Sequence, residues 1–245
     1  MVFLFTDFGY SGPYVGQMKA ALYERLPEGT VIDLMHDAPR FNSKASAYLL
    51  AALAEFMPAN AVTAAVIDPG VGSKRKAIAL KADSRWFVGP DNGLLALVAR
   101  RAKSAEIYDI AHVPSHLSAS FHGRDLFAPV CAELAQGILK SLSPRKQQDR
   151  IPGSDWPEDC AEIIYIDEFG NAMTGMRFDL LPTTCDIRVD SQLVPVRRTF
   201  SDAPVGVPLA YRNSQGLLEI AVNQGSATAD LALEIGSRID IVAQT

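Results

Sequence analysis

From Met1 to Leu139, short apolar runs alternate with stretches of helical spacing. That rhythm admits few folds besides a mostly parallel sheet covered by helices. Val2–Thr6 is a short apolar run, as expected for a strand buried on both faces. Pro13–Leu26 has helical spacing, with proline early in the helix and Pro27-Glu28-Gly29 stopping it. Thr30–Met35 reads as the next strand, and Ser43–Phe56 as a helix capped by Asn42 or Ser43, with Pro58 beyond it. Ala61–Ile67, Ala77–Lys81, Trp86–Val88 and Glu106–Ile110 read as further strands, Leu94–Arg101 and Asp125–Leu139 as helices.

After Lys140 the character changes. Ser141–Asp159 is rich in Pro, Ser, Gly and charge and reads as connecting chain. Beyond it come short alternating segments separated by turns: Ala161–Ile166, Thr184–Val189, Leu193–Thr199, Leu217–Val222 and Arg238–Val242, with Asp190-Ser191-Gln192 resembling a hairpin connection. The expected organisation is an α/β N-terminal domain with a mostly parallel sheet over 1–145, a linker over 146–159, and a small all-β, barrel-like domain over 160–245.

The charge balance narrows the partners. Lys and Arg number 23 against 28 Asp and Glu, a net −5, and no basic stripe is visible, which argues against a nucleic-acid surface. No apolar run is long enough to span a bilayer, and Met1–Phe5 is too short and uncharged for a signal peptide. Cys131, Cys160 and Cys185 form no CxxC pair and sit beside no His, so neither zinc nor a disulfide framework is indicated; an odd, sparse count fits a reducing cytoplasm.

Four polar clusters lie where strands end or a helix begins: Thr6-Asp7-Phe8-Gly9, Asp68-Pro69-Gly70-Val71-Gly72 with Arg75 shortly after, Gly89-Pro90-Asp91-Asn92-Gly93, and Phe121-His122-Gly123-Arg124-Asp125. In open α/β sheets, ligands bind beyond the carboxyl ends of the strands, so the clusters suggest one site. DPGVG and GPDNG are equally plain turn sequences, Asp7 a possible helix cap and His122 a possible structural histidine. Asp7, Asp68, Asp91 and His122 would make a metal site only weakly, because no two share close ligand spacing.

The joint pattern is more specific. TDFGYSGPYVGQMKAAL, VIDPGVGSKRKAIAL, FVGPDNGLL, SFHGRDLFAPVCAELAQG, IDEFGNAMT and YRNSQGLLEIAVNQGSA follow one another from near residue 3 to the end. In these stretches, and in their order, the chain resembles the S-adenosylmethionine hydroxide adenosyltransferases, relatives of the fluorinase and chlorinase enzymes. The resemblance implies an α/β domain followed by a β domain, and cleavage of S-adenosyl-L-methionine by water into adenosine and L-methionine without a cofactor or metal. It implies that Asp7 holds the ribose hydroxyls, as a bidentate acceptor can, and that Asp68, Arg75 and His122 handle the water. It further implies that Asp167 faces the methionine amino group and Asn171 the adenine edge. Phe169 packs nearby, Ser214 contacts the methionine end, and Asn223 and its neighbours read adenine. A homotrimer with the site at the subunit interface is implied in the same way.

Three positions depart from the halogenating relatives: the first, Gly12, loses an amine contact, and the other two bear on the nucleophile. Gly12 stands where those relatives often carry an aspartate, and Gly123 where the fluorinase has a serine at the halide. Asp68 stands where halogenating relatives place a tyrosine. A carboxylate there repels a halide: at about 4 Å two like charges cost roughly 4 kcal/mol even at an effective dielectric of 20. Water is the nucleophile this favours, in an in-line displacement at the ribose 5′ carbon. In it Arg75 stabilises hydroxide character while Asp68 and His122 position the water and accept its proton. The rivals are a halogenase of the same family, told apart by 5′-chloro-5′-deoxyadenosine formed with chloride, and a non-catalytic adenosine or S-adenosylmethionine binder, told apart by ligand that persists unchanged. A metal-dependent phosphoesterase would lose its activity to a chelator.

Overall fold

The computed structural model describes residues 1–112, 114–146 and 150–243 and resolves into two compact units, Met1–Trp156 and Pro157–Thr245. Residues 147–149, within the stretch expected as a linker, and 244–245 lie outside the described residues.

The first unit contains strands β1 (Val2–Thr6), β2 (Val31–Met35), β3 (Val62–Val66), β4 (Ala77–Ala82), β5 (Arg85–Pro90), β6 (Ala105–Ile110) and β7 (Leu142–Pro144), with helices α1 (Tyr14–Arg25), α2 (Ser43–Ala54), α3 (Ala96–Arg101) and α4 (Ala128–Ala135). The strands form one sheet in the order β2-β1-β3-β5-β4-β6-β7. β2, β1, β3 and β5 pair in parallel, and β4, β6 and β7 add antiparallel pairings. Five of the seven strands therefore run in one direction, the mostly parallel sheet expected from the strand-helix rhythm.

Strand order decides where the helices lie. From β1 the chain steps one way to β2 and then back across to β3, so right-handed crossovers place α1 and α2 on opposite faces. Val2 and Leu4 of β1 pack with Met18 and Leu22 of α1 and with Val130 and Leu134 of α4 in one buried cluster. Phe3 and Phe5, which point the other way, are also buried, as are Leu49 and Leu50 of α2 and Leu97 of α3. The Asn42 side chain accepts from Ala45 N at 3.0 Å and caps α2, one of the two caps the sequence offered.

The helix expected over Asp125–Leu139 is shorter and begins irregularly. A π turn, Gly123–Phe127, precedes α4, and the chain leaves the helix before Gly137, whose φ is +76°. Such one-turn π segments often sit at functional sites. After β7 the chain stays on this unit: Arg100 donates to the carbonyls of Gly153, Ser154 and Trp156 at 3.0, 2.9 and 2.6 Å.

The second unit holds β8 (Cys160–Ile166), β9 (Ala172–Arg177), β10 (Cys185–Val189), β11 (Gln192–Pro195), β12 (Pro208–Arg212), β13 (Leu217–Val222), the short helix α5 (Ala227–Asp230) and β14 (Asp240–Ala243). They form antiparallel sheets in the orders β12-β13-β9-β8 and β11-β10-β14. Ile163, Leu218 and Ile220 from one sheet and Ile187, Val189 and Val194 from the other share one core. Bridges Val196–Ala210 and Glu162–Arg238 tie the two sheets together on both sides, which makes the unit barrel-like. Asp190, at φ +51°, and Ser191 close the expected β10–β11 hairpin, with Val189 paired to Gln192.

Candidate active site

In the first unit the chain leaves β1 towards one side of the sheet and enters β3 from that side, so the carboxyl ends of these adjacent strands flank a topological switch point. Asp7 follows β1 and Asp68 follows β3, which is why residues 61 positions apart in sequence line one cavity of about 510 Å³. The turn carrying Asp7 is clamped to the end of β2: Gly9 N donates to His36 O at 2.6 Å, and Thr6 Oγ1 lies 2.8 Å from His36 Nδ1. Asp7 Oδ2 accepts from Phe41 N at 3.0 Å, so the carboxylate caps a loop rather than a helix. Burial pushes the Asp7 carboxyl up, the Phe41 N–H and Arg40 oppose this, and the charge of Asp68 adds to it.

Asp68, Arg75 and His122 form one connected cluster. Arg75 Nε donates to Asp68 Oδ1 at 2.9 Å, Arg75 Nη2 to Asp68 Oδ2, and the same Nη2 lies 2.7 Å from His122 Nδ1. The guanidinium also stacks over Phe127, 5.4 Å from the ring centroid. A guanidinium only donates, so Nδ1 accepts and the neutral imidazole carries its proton on Nε2. Desolvation, then the positive charge of Arg75, lowers the His122 pKa below its usual 6.5, which keeps the ring neutral. Asp68 and His122 line the cavity that holds Asp7, while Arg75 and His122 line a second hollow of about 290 Å³ behind them.

Local geometry brings these groups together. Gly72, at φ +77°, passes so close to the loop ahead of His122 that a Cβ would come within 2.5 Å of Ala119 O. The loop from β3 to β4 and the entry to the π turn are thereby held against each other. Gly123 is nearly as crowded, with a Cβ position 3.1 Å from Phe121 and 3.2 Å from Met18 Sδ.

The second unit has a larger cavity, about 870 Å³. Asp167, Phe169, Asn171 and Ser214 all line it. Asp167 builds the turn it sits on: Oδ1 accepts from Phe169 N and Asn171 N at 3.0 and 2.9 Å, and Oδ2 from Asn171 Nδ2 at 2.9 Å. Gly170, at φ +82°, lets that turn close against Ser226. Asn213 builds the opposite turn, its Oδ1 accepting from Gln215 N and Leu217 N at 3.0 and 2.9 Å, and so places Ser214.

Two groups of candidate residues have structural partners of their own. Asn223 does not line the cavity. Its Nδ2 donates to Ala203 O at 2.7 Å and its backbone pairs with Val207 and Gly206, leaving the neighbours Gln224, Gly225 and Ser226 on the wall. The Gly89–Gly93 cluster is a turn: Asp91 pairs with the buried Arg145 at 2.8 Å and Asn92 Nδ2 donates to Ile67 O at 2.8 Å.

Sequence reasoning passed over the aromatic wall of the first cavity, where Phe8, Tyr14 and Phe121 pack with ring centroids 5.4–5.9 Å apart. It also passed over Glu219, which is 2% exposed and accepts from Tyr211 Oη and, at 2.9 Å, from Asn213 Nδ2. One signal was present: Glu219 is the only charged residue in the run Leu217–Val222.

The chain is similar to several known proteins. A family model described as SAM hydroxide adenosyltransferase N-terminal domain matches residues 2–143, and its C-terminal counterpart matches residues 161–240. A relative from Thermus thermophilus named (R)-S-adenosyl-L-methionine hydrolase is 41% identical, with 98% of this chain and 99% of that protein covered. A fluorinase from Actinopolyspora mzabensis stands further off, 25% identical over 96% of this chain and 95% of its own. The crystal structure of an uncharacterized conserved protein from Thermotoga maritima superposes with a TM-score of 0.88 at 32% identity, covering 98% of this chain and all of that one.

Proposed function

The chain belongs to the SAM hydroxide adenosyltransferase family, and from that premise we infer that it is an (R)-S-adenosyl-L-methionine hydrolase, forming adenosine and L-methionine. The single observation that carries the chemistry is the linked Asp68–Arg75–His122 cluster on the wall of the cavity that also holds Asp7.

In the proposed reaction, water attacks the ribose 5′ carbon in line with the C5′–S bond. The bond to oxygen forms as the bond to sulfur breaks. The electron pair goes to sulfur, which leaves as the neutral thioether of methionine, and one proton is released. A sulfonium needs no acid to depart, so residues act only on the nucleophile. His122 donates through Nε2 to orient the water, because its Nδ1 lone pair is taken by Arg75. Asp68 is left as the proton acceptor, since each of its oxygens keeps a lone pair after bonding Arg75. A weak base suffices there, because the oxygen becomes strongly acidic as its bond to carbon forms. Arg75 holds both partners in place, and such alignment accounts for roughly 7–11 kcal/mol of barrier in well-oriented systems.

Asp7 holds the ribose hydroxyls, and Asp167, Phe169, Asn171 and Ser214 receive the methionine and adenine ends. Asn223 contributes through the chain it anchors. We further propose that no cofactor or metal takes part, and that the chain works in the cytoplasm as a homotrimer with its sites at subunit interfaces. The trimer rests on family resemblance. The location rests on three free, buried cysteines; among the described residues, no helix is long and apolar enough to cross a membrane.

The test is turnover of S-adenosyl-L-methionine in oxygen-18 water. Label in the adenosine 5′-hydroxyl supports the reading. Unlabelled adenosine, or 5′-chloro-5′-deoxyadenosine when chloride is present, rejects it.

A further inference from the structure

The cavity of the second unit is lined by two carboxylates, Asp167 and Glu219, and by no Lys or Arg. Phe169, Phe200 and Tyr211 add ring faces to the same wall. Acidic groups beside aromatic rings are the chemistry of cation recognition. Glu219 is the informative member. It is 2% exposed, and both its oxygens accept hydrogen bonds, from Tyr211 Oη and from Asn213 Nδ2 at 2.9 Å. Two donors suit an ionised carboxylate, yet both are neutral, and a buried charge ordinarily has a counter-charge. Among the described residues, no Lys or Arg lines the cavity beside it to supply one.

We propose that Glu219 determines specificity, making this cavity select a sulfonium over a neutral thioether of nearly the same shape. The proposal rests on the hydrolase reading and adds to it a residue of the cavity lining. Burial, and next to it the charge of Asp167, push the Glu219 carboxyl up against the pull of its two hydrogen bonds, so an arriving cation relieves an existing strain on its charge. The products, adenosine and methionine, carry no sulfonium, so the relief that charge brought is gone and they leave readily.

The experiment compares two ligands that are not turned over: sinefungin, with an ammonium in place of the sulfonium, and S-adenosyl-L-homocysteine, the neutral thioether. Affinities are measured by calorimetry on the full-length wild type, Glu219→Gln and Glu219→Asp, with melting curves for each. Glutamine can keep both hydrogen bonds, accepting from Asn213 while the Tyr211 hydroxyl turns to accept from its amide. The wild type is expected to prefer sinefungin by at least about tenfold. Glu219→Gln should lose most of that preference, almost wholly through weaker sinefungin binding. Glu219→Asp, which restores charge, should retain it even where both affinities fall. Equal losses for both ligands in Glu219→Gln would mark a merely structural role and overturn the proposal. A wild-type preference below about twofold overturns it without any variant. A wild type that binds neither nucleoside overturns the hydrolase reading as well, and so is distinguishable from failure of the Glu219 assignment alone.

Discussion

Replacing Arg75 with methionine removes the guanidinium while keeping a stem of similar length beneath Phe127. In the folded chain the side chains of Arg75 and Asp68 are 10% and 6% exposed and make a two-pronged contact. Deleting one partner of a buried ion pair leaves the other charge uncompensated, at a cost of about 3–5 kcal/mol. Cavities on both sides of the cluster allow water to reach the orphaned carboxylate, which places the expected loss near the lower end, about 3 kcal/mol. With a urea slope of about 2 kcal/mol/M, the unfolding midpoint should fall by roughly 1.5 M. Both tryptophans, Trp86 and Trp156, lie in the first unit, so their fluorescence follows the unfolding of that unit alone. Adding Asp68→Asn should recover much of the lost stability, because the stranded charge is then gone. Turnover should fall at least about 100-fold in either variant. His122 should also regain a higher pKa, since one of the two influences depressing it has been removed. A midpoint shift below about 0.5 M with no recovery in the double variant would show that the pair carries little energy, and near-normal turnover would show that it does no chemistry.

Other outcomes follow from the same contacts. If turnover needs neutral His122, the acid limb of kcat/KM should lie below pH 6.5, because a depressed pKa keeps the ring neutral to lower pH and activity is lost only as pH falls through that value; Arg75→Met should move the limb upward. The same depressed pKa makes the fold less stable as pH drops from 6.5, since the unfolded imidazole takes its proton first, and denaturation midpoints across pH will record this against His122→Asn. Asp7→Ala should raise KM by about 10- to 100-fold, the range for a hydrogen-bonded charge, and loosen the Phe41 loop; steady-state kinetics alongside ribose-modified substrates will separate these effects. Gly170→Ala, whose new Cβ would meet Ser226 Oγ at 2.1 Å in a backbone of positive φ, should cost the second unit roughly 2 kcal/mol. Amide hydrogen exchange over β9 and β13 is the suitable readout, because that unit contains no tryptophan.

The fold was legible wherever local pattern and burial agree. β1 could be read from five successive apolar or small residues because both its faces are covered, and α2 from its cap and helical spacing. β9, with the sequence AMTGMR, and β12, PLAYR, were missed because neither alternates cleanly and one contains Gly and the other starts with Pro; cross-strand partners alone make them strands. Of the candidate site, Asp7, Asp68 and His122 could be picked out at strand ends or a helix start, whereas Arg75, in the loop from β3 to β4, was singled out by family resemblance. The Gly89–Gly93 turn looked just as chemical, and only the pairing of Asp91 with Arg145, 54 positions away, shows its structural use. Glu219 went unread because an isolated acid in a strand normally faces solvent, and its partners, Tyr211 and Asn213, are supplied by β12 and the turn that follows.

The π turn between Gly123 and Phe127 has a genetic corollary. It winds one residue more into its loop than an α-helix does. Loss of any single codon in that stretch would let the segment relax into a regular helix continuous with α4, at little energetic penalty. Everything upstream would then be rotated by about 100° around the helix axis, and the His122 imidazole would swing away from Arg75. Lineages should therefore tolerate substitutions here more readily than changes in length.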